Sequence, residues 1–297
     1  MIRFGLCCIF KEQPIKFRRT TVKYLSNFSV QEQQNRLSAL CLANAKNLLK
    51  ALEFCHQNNI GCFRINSQIL PLKTHPDIGY SVADLPDSEK IMETFRTCGL
   101  FSMQHNIRTT FHPDQFIILS SPNPDVVSRS IADLEYQAQV AQWVNADVIN
   151  IHAGGVYGDK ASALNRLKKE IEMLSDPVRQ RLTLENDDRC YAPEDLFPVC
   201  SEMNIPLTYD VHHHRCFKDR FTVEQATELC LETWNREPLV HISSPKNGWE
   251  SPDHRNHHDY IDLNDMPDFW LAMNVDMTIE VEAKAKELAV LKLMKDL

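Results

Sequence analysis

Apolar residues along this chain fall into two alternating patterns. Short runs rich in β-branched and aromatic side chains occur at 2–9 (IRFGLCCI), 62–66 (CFRIN), 107–111 (IRTTF), 147–151 (DVINI), 181–185 (RLTLE), 207–211 (LTYDV), 239–243 (LVHIS) and 275–281 (VDMTIEV). Each is short enough and apolar enough to be a strand. Between the runs, apolar residues recur every three or four positions. Leu37, Leu40, Cys41, Leu48, Leu52 and Cys55 share one helical face, as do Val127, Ile131, Leu134, Ala138 and Ala141. Ser121-Pro122-Asn123-Pro124 and Ala192-Pro193-Glu194 have the residues that open helices.

Strand–helix alternation repeated eight times predicts an α/β fold, a TIM (β/α)8 barrel, as a single domain over residues 1–297. An open doubly wound sheet is the alternative. It is disfavoured because no GxGxxG follows the first run.

Composition narrows the picture a little. Hydrophobic residues make up 43% of the 297 positions and charged residues 24%, the balance of an ordinary globular chain. No uncharged apolar stretch approaches membrane-spanning length, so no span is expected. The opening MIRFGLCCIF lacks a small-residue cleavage site and reads as a buried strand. None of the ten cysteines forms a CxxC pair, which excludes a thiolate zinc ribbon and predicts a reducing, cytoplasmic setting. The net charge of −8 argues against a nucleic-acid partner when taken alone. Bound divalent cations would offset part of that charge and attract phosphate.

The ends of the predicted strands carry the chemistry. Reacting groups of a (β/α)8 barrel sit at the C-terminal strand ends. Here those ends hold His112 (TFHPDQF), His152 (INIHAGGVYGDK), Glu185 (LTLENDD), Asp210 with three histidines (TYDVHHH), His241 (LVHISSP), and Glu280 and Glu282 (TIEVEAKAKE). Any one of these has an ordinary explanation, as a hydrogen-bonded core histidine or a carboxylate at a helix N-terminus. Six successive ends point instead to a metal cluster. Imidazole and carboxylate without thiolate suit Zn²⁺, Mn²⁺ or Fe²⁺. The ligands outnumber the needs of one ion, so two or three divalent ions sharing a carboxylate are expected. Such centres favour displacement at phosphorus.

Gly154, Gly155, Gly158 and Lys160 form a segment able to approach an anion. The same glycines also suit a strand–helix turn that needs positive φ. Strand alternation groups Asp210 with His212 and His214, and Glu280 with Glu282, so periodicity does not choose the ligands within these motifs.

Taken together, FHPDQFIILSS, INIHAGGVYGDK, LTLENDD, YDVHHH, VHISSP and IEVEAKAKE resemble the UV damage endonucleases over nearly the whole chain. That resemblance implies a TIM barrel related to the abasic-site endonucleases and xylose isomerases. It implies a nick immediately 5′ of a pyrimidine photoproduct, leaving a 3′-hydroxyl and a 5′-phosphate. It implies Mn²⁺, with Zn²⁺, Mg²⁺ or Co²⁺ as substitutes. The implied ligands are His112, His152 and Glu185 for one ion, and Glu185 (bridging), Asp210, His241 and Glu282 for a second. His213 and His257 are implied for a third. Glu185, Asp210 and Glu282 are the expected catalytic carboxylates. Gln115 and Phe116 are the implied lesion probes, with Gly155, Tyr157, Lys160 and His75 as further DNA contacts. Leu6 stands where some members place a second probing tyrosine and is implied as a DNA contact at that place. Leu239 stands where some have a carboxylated lysine, which predicts weaker holding of the third ion.

The expected partner is UV-damaged double-stranded DNA, met by a cytoplasmic monomer that joins the nucleoid during repair. An abasic-site endonuclease or a metal-dependent sugar isomerase or epimerase are the alternative activities. The acidic net charge fits a small sugar better, and the glycine–lysine segment fits a phosphate better. A non-catalytic binding protein is the third class.

Overall fold

A computed structural model describes residues 1–297, and each of the eight β-rich runs forms a strand in it. The strands are β1 (Ile2–Cys7), β2 (Cys62–Ile65), β3 (Arg108–Phe111), β4 (Val148–His152), β5 (Leu182–Glu185), β6 (Leu207–Asp210), β7 (Leu239–Ile242) and β8 (Met277–Val281). Each pairs in parallel with the next, and β8 closes on β1 to complete a barrel. The chain is therefore a (β/α)8 barrel rather than an open sheet. The first run stops two residues short of its apolar end. Cys8 takes φ 65°, which turns the chain off the sheet while its N–H still reaches the Arg64 carbonyl at 3.0 Å.

The periodic stretches form helices against the outside of the barrel. Val30–Gln57 opens with a capping box between Ser29 and Glu32, and Pro124–Val144 opens with a proline in its first turn and Asn123 as its cap. Their apolar faces and the outward side chains of the strands merge into one cluster of 62 buried residues. All ten cysteines are free and seven are buried, as small apolar residues would be. No helix is long and apolar enough to cross a membrane.

The barrel interior is polar. A Cβ added to Gly5 would lie 2.9 Å from Glu280 Cγ and 3.2 Å from Cys62 Cβ, so alternate residues of β1 point inward at Gly5 and Cys7. Leu6 therefore points outward and is wholly buried in the apolar layer. The expectation that Leu6 meets DNA is overturned: strand parity puts it on the wrong side of the sheet. Inside, Thr208 Oγ1 donates to Thr183 Oγ1 at 3.1 Å, and Thr183 Oγ1 donates to Asn150 Oδ1 at 2.8 Å. Thr110 reaches across the barrel from β3 to Glu280 on β8.

Candidate metal centre

Strand ends put the donors on one level. His152 and Glu185 are the last residues of β4 and β5 and stand opposite each other in the ladder. Asp210 ends β6 and pairs with His241 of β7, which in turn pairs with Glu280 of β8. His112 and Glu282 follow the last residues of β3 and β8. Glu185 lies at the middle. Its Oε2 is 2.8 Å from His112 Nε2, and its Oε1 is 3.1 Å from His241 Nδ1 and 3.3 Å from His213 Nδ1. The two oxygens thus face different partners, as a bridging carboxylate requires.

The three-histidine motif resolves through a helix. The chain does not pass from β6 into a loop, as alternation running out would suggest. It enters a short helix, Val211–Cys216, and Asp210 is its N-cap, with Oδ1 accepting the His213 N–H at 2.7 Å. Residues i and i+3 then lie on one side, and His213 Nδ1 comes 3.5 Å from Asp210 Oδ2. His214 turns away and is held between Tyr209 Oη at 2.7 Å and Asp219 Oδ1 at 2.9 Å. His212 is buried against the Trp249 and His257 rings.

Donor atoms of three overlapping triads lie within 4.8 Å of one another: His112–His152–Glu185, His112–His241–Glu282 and Glu185–Asp210–His213. The first is the triad anticipated from sequence. The other two divide the donors differently. His213 joins Glu185 and Asp210, while His241 and Glu282 group with His112. His257 is carried in by an isolated bridge to Pro245, and its Nδ1 stays 3.7 Å from Glu282 Oε2, at the edge of the cluster.

The donors fit divalent cations. Asp210 Oδ2 and His152 Nδ1 are buried without a hydrogen-bond partner, a costly state that coordination would relieve. The cluster also demands positive charge. Burial disfavours an ionised His241, yet the Glu185 carboxylate and hydrogen bonds outweigh it and push the imidazole up to about 10. Burial likewise opposes ionisation of Glu185, but His241, His152 and His112 hold it well below the usual carboxylate range. Burial dominates at His152 and lowers it to about 4.

The remaining expected residues divide between the cleft beside this centre and sites away from it. Asp114 accepts the Phe116 N–H at 3.3 Å and the Ile117 N–H through its carbonyl at 2.9 Å, making a turn that throws Gln115 and Phe116 outward. Phe116 is 72% exposed, so it is no part of the core. Gln115 lines a cleft of about 550 Å³ together with His152, His213, Gly155 and Cys190. Gly154 takes φ 90° and Gly158 φ 82°, so this turn needs its glycines for backbone reasons. Tyr157 is 45% exposed on the same turn. Lys160 departs from expectation. Its ammonium is held by Asp195 at 2.8 Å and lies over the Tyr191 and Phe217 rings, because it begins the helix Lys160–Met173 and points away from the cleft. His75 lies in a separate polar pocket beside Asp114, where Nδ1 accepts the Asp77 N–H. Leu239 is buried two residues before His241.

Arg64 was not anticipated, and Glu280 stood in the sequence only as the alternative to Glu282. Arg64 is buried in β2, and its guanidinium reaches Glu280, Glu282 and His241 together. A charged residue in the middle of the CFRIN run was the available signal.

Comparison with known proteins places the chain. The family described as UV-endonuclease UvdE matches residues 2–297. A UV DNA damage endonuclease from Bacillus velezensis is 32% identical over 311 aligned residues, covering 100% of this chain and 94% of the relative. The crystal structure of SacUVDE superposes with a TM-score of 0.88 at 25% identity, covering 100% of this chain and 98% of that one. Endonuclease IV from Thermus thermophilus shares the fold with a TM-score of 0.63 at 14% identity, covering 99% of this chain and 97% of that one.

Proposed function

The chain belongs to the UV-endonuclease UvdE family, and we propose that it is a DNA repair endonuclease that nicks duplex DNA immediately 5′ of UV photoproducts, leaving a 3′-hydroxyl and a 5′-phosphate. The observation that carries the reading is the pairing of two features at one barrel mouth. One is Glu185, whose oxygens face His112 on one side and His241 and His213 on the other. The other is the turn that exposes Phe116 beside Gln115, which lines the cleft.

His112, His152, Glu185, Asp210, His213, His241 and Glu282 would hold two divalent ions, Mn²⁺ in our proposal, with His257 at the edge for a third. Bound there, divalent ions supply Lewis acidity, acidifying water and offsetting phosphate charge. The chain's own groups do the rest. Asn150 donates to Glu185 Oε2 and fixes its plane, and Asn186 holds the Asp210 backbone on both sides, at 2.9 Å each. These buried contacts keep the carboxylates preorganised where charge changes during the reaction. Phe116, inserted at a distorted step, meets the smallest unstacking cost where a photoproduct has already weakened the stack. No side-chain nucleophile is needed.

An exposed aromatic next to a residue that lines the cleft supports a duplex over a small sugar as the substrate. The test is nicking of UV-irradiated against untreated supercoiled plasmid with added Mn²⁺. We expect irradiation-dependent nicks that Glu185→Ala abolishes. Equal nicking of both plasmids would refute the lesion specificity, and full activity of Glu185→Ala would refute the bridging role.

A further inference from the structure

Beneath the metal centre lies a second layer made by Arg64 and Glu280. Both are almost fully buried. Arg64 Nε donates to Glu280 Oε2 at 2.6 Å, and Nη1 donates to Glu282 Oε1 at 2.5 Å. Nη2 lies 2.8 Å from His241 Nε2. Glu280 Oε2 is 3.2 Å from the same His241 nitrogen, and Glu280 also accepts the Thr110 hydroxyl. One guanidinium therefore touches two of the proposed ligands and the carboxylate that supports it.

The direction of these contacts matters. Arg64 engages only Oε1 of Glu282, leaving Oε2 to face His257. Glu280 and Arg64 meet His241 at Nε2, on the edge of the ring opposite Nδ1, and Nδ1 is the atom that faces Glu185, Asp210 and Glu282. With Nδ1 left to ligate, Nε2 carries the proton and donates it to Glu280, which fixes the ring's orientation and tautomer, and Arg64 acts on the ring through Glu280 rather than by a hydrogen bond of its own. A forked guanidinium fixes a carboxylate's plane in a way a point charge does not.

We propose that Arg64 and Glu280 are positioning residues, a buried brace that sets the angle of the His241 ring and the plane of Glu282, whose Oε1 lies 3.5 Å from His241 Nδ1 and whose Oε2 is left toward His257. Neither is a ligand. This rests on the reading of the site as a metal centre. It settles the ambiguity that strand alternation leaves between the two glutamates: Glu280 lies one layer down and is fully engaged, while Glu282 is the one left with a free oxygen.

The brace makes a prediction that charge alone reverses. Arg64 is a fixed cation beside a cation site. If only its charge mattered, Arg64→Met would bind divalent ions more tightly. A positioning role predicts weaker binding. The experiment is isothermal titration of the full chain with MnCl₂, comparing wild type, Arg64→Met and the double variant Arg64→Met/Glu280→Met. The double variant removes an ion pair at no change in net charge, and buried pairs replaced by apolar side chains of similar size generally fold. Both variants should lose about 10- to 100-fold in Mn²⁺ affinity, the usual cost of losing such partners. Arg64→Met at or above wild-type affinity would overturn the proposal. So would a double variant within twofold of wild type. If Arg64→Met alone does not fold, the double variant decides. The titration contains no DNA, so a wild type that fails to nick irradiated plasmid would refute the proposed activity and leave this comparison standing.

Discussion

Phe116→Ala separates recognition from folding. The ring is 72% exposed and stands on a turn held by Asp114, so its removal takes almost nothing from the core. Stability should change by no more than about 0.5 kcal/mol, as for other surface substitutions. Stacking of an aromatic ring on a base contributes about 1–3 kcal/mol. At about 1.4 kcal/mol per decade, that is roughly a 5- to 150-fold loss of affinity. The loss should fall on damaged duplex, because an intact stack resists the ring's entry. The assay is fluorescence anisotropy on a duplex carrying one photoproduct, against the same duplex undamaged, in EDTA so that no cleavage intervenes. Phe116→Trp should retain the preference. Equal weakening on both duplexes would refute a wedge and leave a general backbone contact. A loss of several degrees in Tm would refute the premise that the ring is free of the core.

Three further outcomes follow from contacts in the structure. His213→Ala should abolish tight Mn²⁺ binding in calorimetry while sparing Tm in EDTA, whereas His214→Ala should do the reverse. Its loss strands Tyr209 and Asp219, at about 1–3 kcal/mol. Leu6→Ala should lower stability by about 2–5 kcal/mol in urea denaturation and leave discrimination between damaged and undamaged duplex unchanged, because the side chain is buried outside the barrel. Asp133, raised by burial and then by Asp114 to about 6, holds its proton more tightly folded than unfolded. Its contribution to stability therefore falls as pH rises from about 4 to about 6. Asp133→Asn should flatten that part of the pH–stability curve, gaining up to about 3 kcal/mol at neutral pH.

Much of this architecture was legible because period and polarity are local properties. The eight strands were visible as runs, and six of their ends bore donors, so the level of the centre could be read before any contact was known. What escaped depends on which way a side chain points across the barrel. Leu6 has the position of a probe in the chain but the parity of a core residue. Lys160 sits beside the glycines in sequence, yet helix initiation sends its ammonium to Asp195. Arg64 looked like an isolated charge in an apolar strand. Its partners, Glu280, Glu282 and His241, lie more than 170 residues away, and only closure of the barrel brings them together. The grouping of donors around Glu185 has the same origin. The helix after β6, rather than an irregular loop, decides that His213 falls with Asp210.

Asp210 gives that helix a wider meaning. One of its oxygens is committed to the backbone N–H of His213, and the other faces the cluster. In the proposed centre the pair would grip an ion with a bite set by a helix cap, so its geometry is obtained during folding and owes nothing to an ion. Loading should then be quick, and removal by a chelator should leave the bite intact and ready to reload. The same economy is a constraint on substitution. Asparagine can keep the cap while giving up the charge, alanine loses both, and no residue can move His213 without first finding the helix a new start.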